Sequence, residues 1–223
     1  MATKSDTPVQ PPSERTIGQL VADTLHFYGS RFWASLALGF GPAILLVSAA
    51  TLPRTAQIEV LFVGGPVLMT ATYVAACFLT FGAQLDRTRV TSAALAGLTI
   101  AFPVLILRAS VLFALPTVLW FALLGMAVPA AVVEGTGIRE SIRRGFALGR
   151  ADYAHAAGTL ATLVICCFLT ATTMFMAVRV GSGQVAAIAA FFALVVVSPL
   201  LFIGSALLYK DQIARAAVKS KSH

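Results

Sequence analysis

Glu134 stands where a long apolar run ends, and Arg139, Arg143, Arg144 and Arg150 follow it closely. A carboxylate beside clustered guanidiniums at the edge of hydrocarbon is what an enzyme acting on lipid head groups would use. The guanidiniums would hold phosphate and the acid would move a proton. The same arginines are also what a membrane protein uses to mark its cytoplasmic face. Little else in the chain offers chemistry: it has no G-x-S-x-G elbow, H-E-x-x-H, P-loop or paired intramembrane carboxylates. His26, His155 and His223 lie out of helical reach of one another and read as solvated. Cys77, Cys166 and Cys167 sit inside apolar runs without C-x-x-C spacing and read as packing residues. No metal or cofactor is expected. No charged residue has a clear claim to membrane depth, which disfavours an ion-coupled pump. Glu134 and Arg108 would change that reading if drawn into the bundle, but both are expected to snorkel to the surface.

The elements that carry these residues follow from composition. Of 223 residues, 58% are hydrophobic and 11% charged, against about 25% charged in soluble domains. So much apolar surface requires a bilayer. The net charge of +7 comes in short clusters between apolar runs, a pattern of orientation signals that excludes nucleic acid as the partner. The polar, acid-bearing start is not a secretory signal.

Residues 1–15 are expected to be a disordered tail. Thr16 and Gln19 form a T-x-x-Q capping box. Ile17, Leu20, Val21, Thr24, Leu25 and Tyr28 then make one face of a helix over 16–30, predicted to lie in the membrane surface with that face in the acyl boundary. A bilayer core of about 30 Å needs about 20 apolar residues, which places spans at about 32–52, 60–84, 91–107, 111–133, 156–178 and 185–209. The 90–133 segment must reverse, at Arg108 to Ser110. Pro103, Pro116 and Pro129 should kink their helices, and Gly41-Pro42 and Gly64-Gly65-Pro66 should break the first two spans. Ser35, Gly39 and Ala43 stand at close-packing spacing.

A second surface helix is predicted over 137–150. Ile138, Ser141, Ile142, Gly145, Phe146 and Gly149 would face inward, its four arginines would face water or lipid phosphate, and Glu140 and Arg144 would pair. Residues 210–223 read as a basic soluble tail. With both termini cytoplasmic, all Lys and Arg except Arg54, Arg108 and Arg179 fall inside, whereas five spans would put most of them outside. Trp33, Tyr153 and Tyr209 fall at the predicted inner boundaries, while Trp120 is mid-span and expected against another helix. A slide of 121 residues aligns Ile17 with Ile138, Val21 with Ile142, Leu25 with Phe146, Phe27 with Leu148 and Phe32 with Tyr153, an internal repeat in parallel orientation.

The run Pro129, Val132, Val133, Glu134, Gly135, followed by Ile142, Arg143, Arg144, Phe146, Leu148 and Arg150, resembles the membrane domain attached to some bacterial glycerophosphodiester phosphodiesterases and related stand-alone proteins. The opening TIGQLVADTLHFYGSRFW and the closing ALLYKDQIARA are similar to that family's ends. Gly145 stands where the family usually has Ser. The resemblance implies a six-span helical bundle of poorly known role and no phosphodiesterase activity, since that chemistry belongs to a separate soluble barrel.

The expected protein is all-α: a polytopic integral membrane bundle of six transmembrane helices plus two inner-surface amphipathic helices. It is expected in the bacterial plasma membrane as a non-enzymatic scaffold or accessory subunit with lipid and membrane-protein partners. The alternative is a carrier for a small or lipidic molecule.

Overall fold

The computed structural model describes residues 14–106, 114–178 and 183–221, and its elements are all α-helices. In order they are α1 (Ile17–Ser30), α2 (Phe32–Ala50), α3 (Arg54–Phe81), α4 (Arg87–Ile106), α5 (Ala114–Leu124), α6 (Ala127–Glu134), α7 (Ile138–Ala151), α8 (Tyr153–Val178) and α9 (Gly183–Lys221). The predicted reversal at Arg108 to Ser110 lies outside the described residues, as do Arg179 and residues 1–13. Among the described residues, Phe32–Ala50, Arg54–Phe81, Pro116–Glu134, Tyr153–Ala177 and Val185–Ser220 are five helical stretches long and apolar enough to cross a membrane, as in a multi-pass protein. The predicted third span, on α4, is not among them. Arginines and hydroxyl residues dilute its first half, yet Ala93, Ala96, Ile100 and Ala101 are buried against α3, α6 and α7.

The long α9 is the hub, touching α1, α2, α3, α6, α7 and α8. It joins α2 through the small-residue stripe read from sequence: Ser35, Gly39 and Ala43 are buried. A Cβ on Gly39 would collide with the carbonyl of Val195. Proline explains why that carbonyl is approached so closely. Pro199, inside α9, has no N–H to give Val195, four residues back, so the neighbouring helix comes in against the deprived oxygen.

A similar deficit shapes the fourth apolar stretch. It is interrupted at Gly125–Met126 between α5 and α6, one turn before the kink expected at Pro129. Pro129 leaves the Gly125 carbonyl without its helical donor, and the hydroxyl of Tyr73 on α3 donates to it instead at 3.1 Å. Outside the break, α7 packs directly on backbone: a Cβ on Gly145 would collide with Ala127, and one on Gly149 with the carbonyl of Leu123. Trp120 packs against α4 as expected, donating its indole N–H to the Ile100 carbonyl at 3.0 Å. By contrast α2 and α3 run unbroken through Pro42 and Pro66. The Gly-Pro steps there are absorbed as helix interior, where α2 and α3 pack on each other with Leu68 beside Gly41 and Leu45 beside Gly64.

The capping box forms on both sides: the Gln19 amide N–H donates to Thr16 Oγ1 at 3.3 Å, and the Thr16 N–H to Gln19 Oε1 at 2.8 Å. The face of α1, however, turns into protein rather than lipid. Leu20, Thr24 and Tyr28 are buried, with α1 packed on α8 and α9, while Leu25 is exposed. In α7 the corresponding Ser141, Gly145 and Gly149 are buried, and Phe146 is exposed instead of buried. Each of these positions is its α1 counterpart plus 121. Both helices are 14 residues long, and each is followed after one residue by a long helix starting at Phe32 or Tyr153. The predicted repeat thus holds in helix bounds and in buried stripe.

Candidate functional site at the charged end of the bundle

Glu134 is the last residue of α6. Gly135 closes that helix in the left-handed conformation (φ 66°), its N–H bonding the Ala131 carbonyl. Arg89, from the first turn of α4, lies over this glycine and donates to the Val132 carbonyl at 3.2 Å, placing a cation on a helix C-terminus where carbonyls lack partners. Arg31 treats α3 the same way, reaching the Leu79 carbonyl at 3.3 Å.

The Glu134 carboxylate accepts from Arg144 Nε at 3.0 Å and from the Tyr209 hydroxyl at 2.9 Å, both on Oε1. One acid thereby ties α6, α7 and α9 together. Phe81 meets the Tyr209 ring edge-on at 5.8 Å between ring centres, and the Lys210 ammonium sits 5.3 Å over Phe81. Tyr209 is therefore fully buried and not an interfacial anchor as its position in the sequence suggested. At the start of α7, Ser141 and Thr136 share a hydroxyl contact of 2.8 Å, and Ser141 also donates to the Gly137 carbonyl.

The expected Glu140–Arg144 pair does not form. Glu140 takes Arg143 instead, at 2.8 and 3.0 Å, because Arg144 is drawn to Glu134 on the other side. The Arg143 hydrogen bonds hold the Glu140 carboxyl below its ordinary range. Arg139 and Arg150 are exposed, the latter stacked over Phe146 at 5.5 Å. Arg108 lies outside the described residues.

A second cluster was not anticipated. The residues read as a soluble tail continue α9 to Lys221, and Asp211 and Gln212 are fully buried. Asp211 Oδ1 lies 3.4 Å from Arg15, which also reaches Asp23 at 3.3 Å. Arg215 binds Asp152 at 2.9 Å and the Arg15 carbonyl at 2.7 Å. Asp152 in turn caps α8 by accepting the His155 N–H at 3.2 Å, and its own carbonyl takes Gln212 Nε2 at 3.3 Å. Lys219 reaches the Ala151 carbonyl at the end of α7. His155, expected to be solvated, has a buried Nε2 without a hydrogen-bond partner. An open depression of about 490 Å³ lies beside these groups, lined by Glu14, Asp152, Arg215 and Lys219 among others. The local signal for this cluster was Asp211 placed four residues before Arg215, a helical pair spacing that argues for continuing α9.

Chemically, both clusters are acids paired with guanidiniums that join separate helices, and Asp211 keeps one buried oxygen without a hydrogen-bond partner. Glu134, the one candidate general acid, accepts hydrogen bonds from two donors. Arg139, Arg143 and Arg150 of α7 are exposed on its outward side, Arg143 paired with Glu140 and Arg150 stacked over Phe146. Comparison with protein-family models, with curated proteins and with solved structures finds no match.

Proposed function

We propose that the chain is a non-enzymatic scaffold or accessory subunit of the bacterial plasma membrane. In this reading it crosses the bilayer six times, with α4 as the third crossing and α5–α6 as the fourth, both termini cytoplasmic, and α1 and α7 seated on the inner side of the bundle. The observation that carries the reading is the Glu134–Arg144–Tyr209 junction. It commits the candidate acid to joining three helices and leaves Arg139, Arg143 and Arg150 on an outward face. The resemblance to the phosphodiesterase-attached membrane domain belongs to the same proposal, since that domain accompanies a catalytic unit without supplying its chemistry.

Crosslinking in native membranes followed by purification tests the proposal. One and the same membrane protein should be recovered repeatedly, and its recovery should fall when Arg139, Arg143 and Arg150 are all replaced by Ala. Recovery of the chain alone overturns it.

A second reading, a carrier for a small or lipidic molecule, is favoured by the cavity of about 150 Å³ that adjoins the interrupted fourth helix. Facilitated exchange of a lipid probe across vesicles containing the purified protein would support the carrier reading over the scaffold.

A further inference from the structure

That cavity is walled by residues of α3, α5, α8 and α9 and by the α5–α6 break, among them Met69, Tyr73, Phe121, Met126, Leu160 and Phe202. Its lining is almost wholly carbon, and two of its polar groups are already committed. Tyr73 gives its hydroxyl hydrogen to the Gly125 carbonyl and Ser205 gives its own to the Leu201 carbonyl at 2.7 Å. Water needs two or more polar partners to stay in a cavity, whereas an apolar void of about 150 Å³ takes up a benzene-sized piece of hydrocarbon. The wall cannot easily close on itself. Gly145 and Gly149 press on the backbone of the break from outside, and Tyr73 holds it from within.

Depth and access narrow the occupant further. Gly125 is midway along the apolar stretch Pro116–Glu134, so the cavity lies at the centre of the hydrocarbon layer when that stretch crosses the membrane. Met69 on its rim is exposed, so the opening faces sideways, where lipid tails are. Only the methyl ends of acyl chains reach that depth. We propose that this cavity is a binding site for the end of an acyl chain, inserted laterally beside the Gly125–Met126 break. The site rests on the multi-pass reading of the fold and not on the choice between scaffold and carrier.

The test uses the full chain in vesicles of phosphatidylethanolamine and phosphatidylglycerol doped with a lipid carrying a photoreactive diazirine at the end of one acyl chain. After illumination, labelled peptides are identified by mass spectrometry. Met126 and Leu160, which are 1% and 5% exposed, should carry label, as should Phe168, which is 67% exposed on the outer side of α8 and reports ordinary bilayer contact. Val164→Trp, which fills the cavity from its wall, should remove the label from Met126 and leave it on Phe168. Leu201→Trp serves in the same way if the first variant does not fold. A parallel run with a diazirine-tipped free fatty acid distinguishes a bilayer lipid from a free acid as the chain's source. Label on Phe168 without label on Met126 or Leu160 overturns the site alone. Absence of label from Phe168 as well overturns the multi-pass reading beneath it.

Discussion

At the scale of single residues, much of the packing rests on atoms that are missing. Gly145 has no side chain because the Ala127 backbone occupies the space a Cβ would need. Gly145→Ser should therefore destabilise by about 1–3 kcal/mol through overpacking, read as a lower midpoint of thermal unfolding in detergent. Gly18→Ala is the contrast, since nothing lies within 4 Å of a Cβ there. It should be neutral or stabilising by up to about 1 kcal/mol, because it only reduces the freedom of the unfolded chain. Tyr73 supplies what Pro129 withholds. Tyr73→Phe should cost about 1 kcal/mol by stranding the Gly125 carbonyl, and the loss should appear as faster amide exchange across Gly125–Met126 before any change in global unfolding.

At the scale of elements, the end of α9 shows how distant residues decide whether a polar segment is tail or helix. Asp211 is fully buried, and the nearby Arg15, four-fifths buried, is its principal counter-charge. Arg15→Met should leave that acid without its hydrogen-bonded cation, with Arg215 the cation still nearby, at a cost of about 3 kcal/mol. Amide exchange should quicken in α1 and in the last turns of α9 while α3 and α4 stay protected. Adding Asp211→Leu to the same chain should restore most of the loss, since an apolar pair carries no desolvation penalty; failure of the double variant to recover would mean that the guanidinium acts only by packing. The same residues explain which parts of the fold were legible. The Thr16–Gln19 cap, the Ser35–Gly39–Ala43 stripe and the 121-residue repeat are local or periodic signals, and the structure carries all three. The continuation of α9 depends on Arg15 and Asp152, far away in sequence, and the partner of Glu134 on Tyr209, 75 residues on. The Asp211–Arg215 spacing argues for helix there, but no local pattern announces these distant partners. The break at Gly125 needed Pro129 to be read one turn upstream, at the carbonyl it deprives.

At the scale of the molecule, sidedness turns on α4. If α4 crosses the membrane, six passes return the C-terminal turns of α9 to the side of α1, and the basic residues of α7 and α9 share a face with Arg15 and Arg31. Without that crossing, α9 ends opposite α1. Yet Arg15 contacts Asp211 and Arg215 bonds the Arg15 carbonyl, so the residue that leads into α1 and the C-terminal turns of α9 stand at one end of the bundle. That contact cannot form across a bilayer, and it favours an even number of passes. Single cysteines placed by Glu14→Cys, Ser220→Cys and Thr55→Cys in a chain whose own three cysteines are replaced by alanine make the count measurable. In intact cells a membrane-impermeant maleimide should label only the Thr55→Cys protein, and the Glu14→Cys and Ser220→Cys proteins should react only after the membrane is opened. Labelling of Ser220→Cys but not Glu14→Cys in intact cells would reduce the passes to an odd number and remove α4 from the bilayer. In that case the ionic contact between α1 and α9 could not exist in the native membrane.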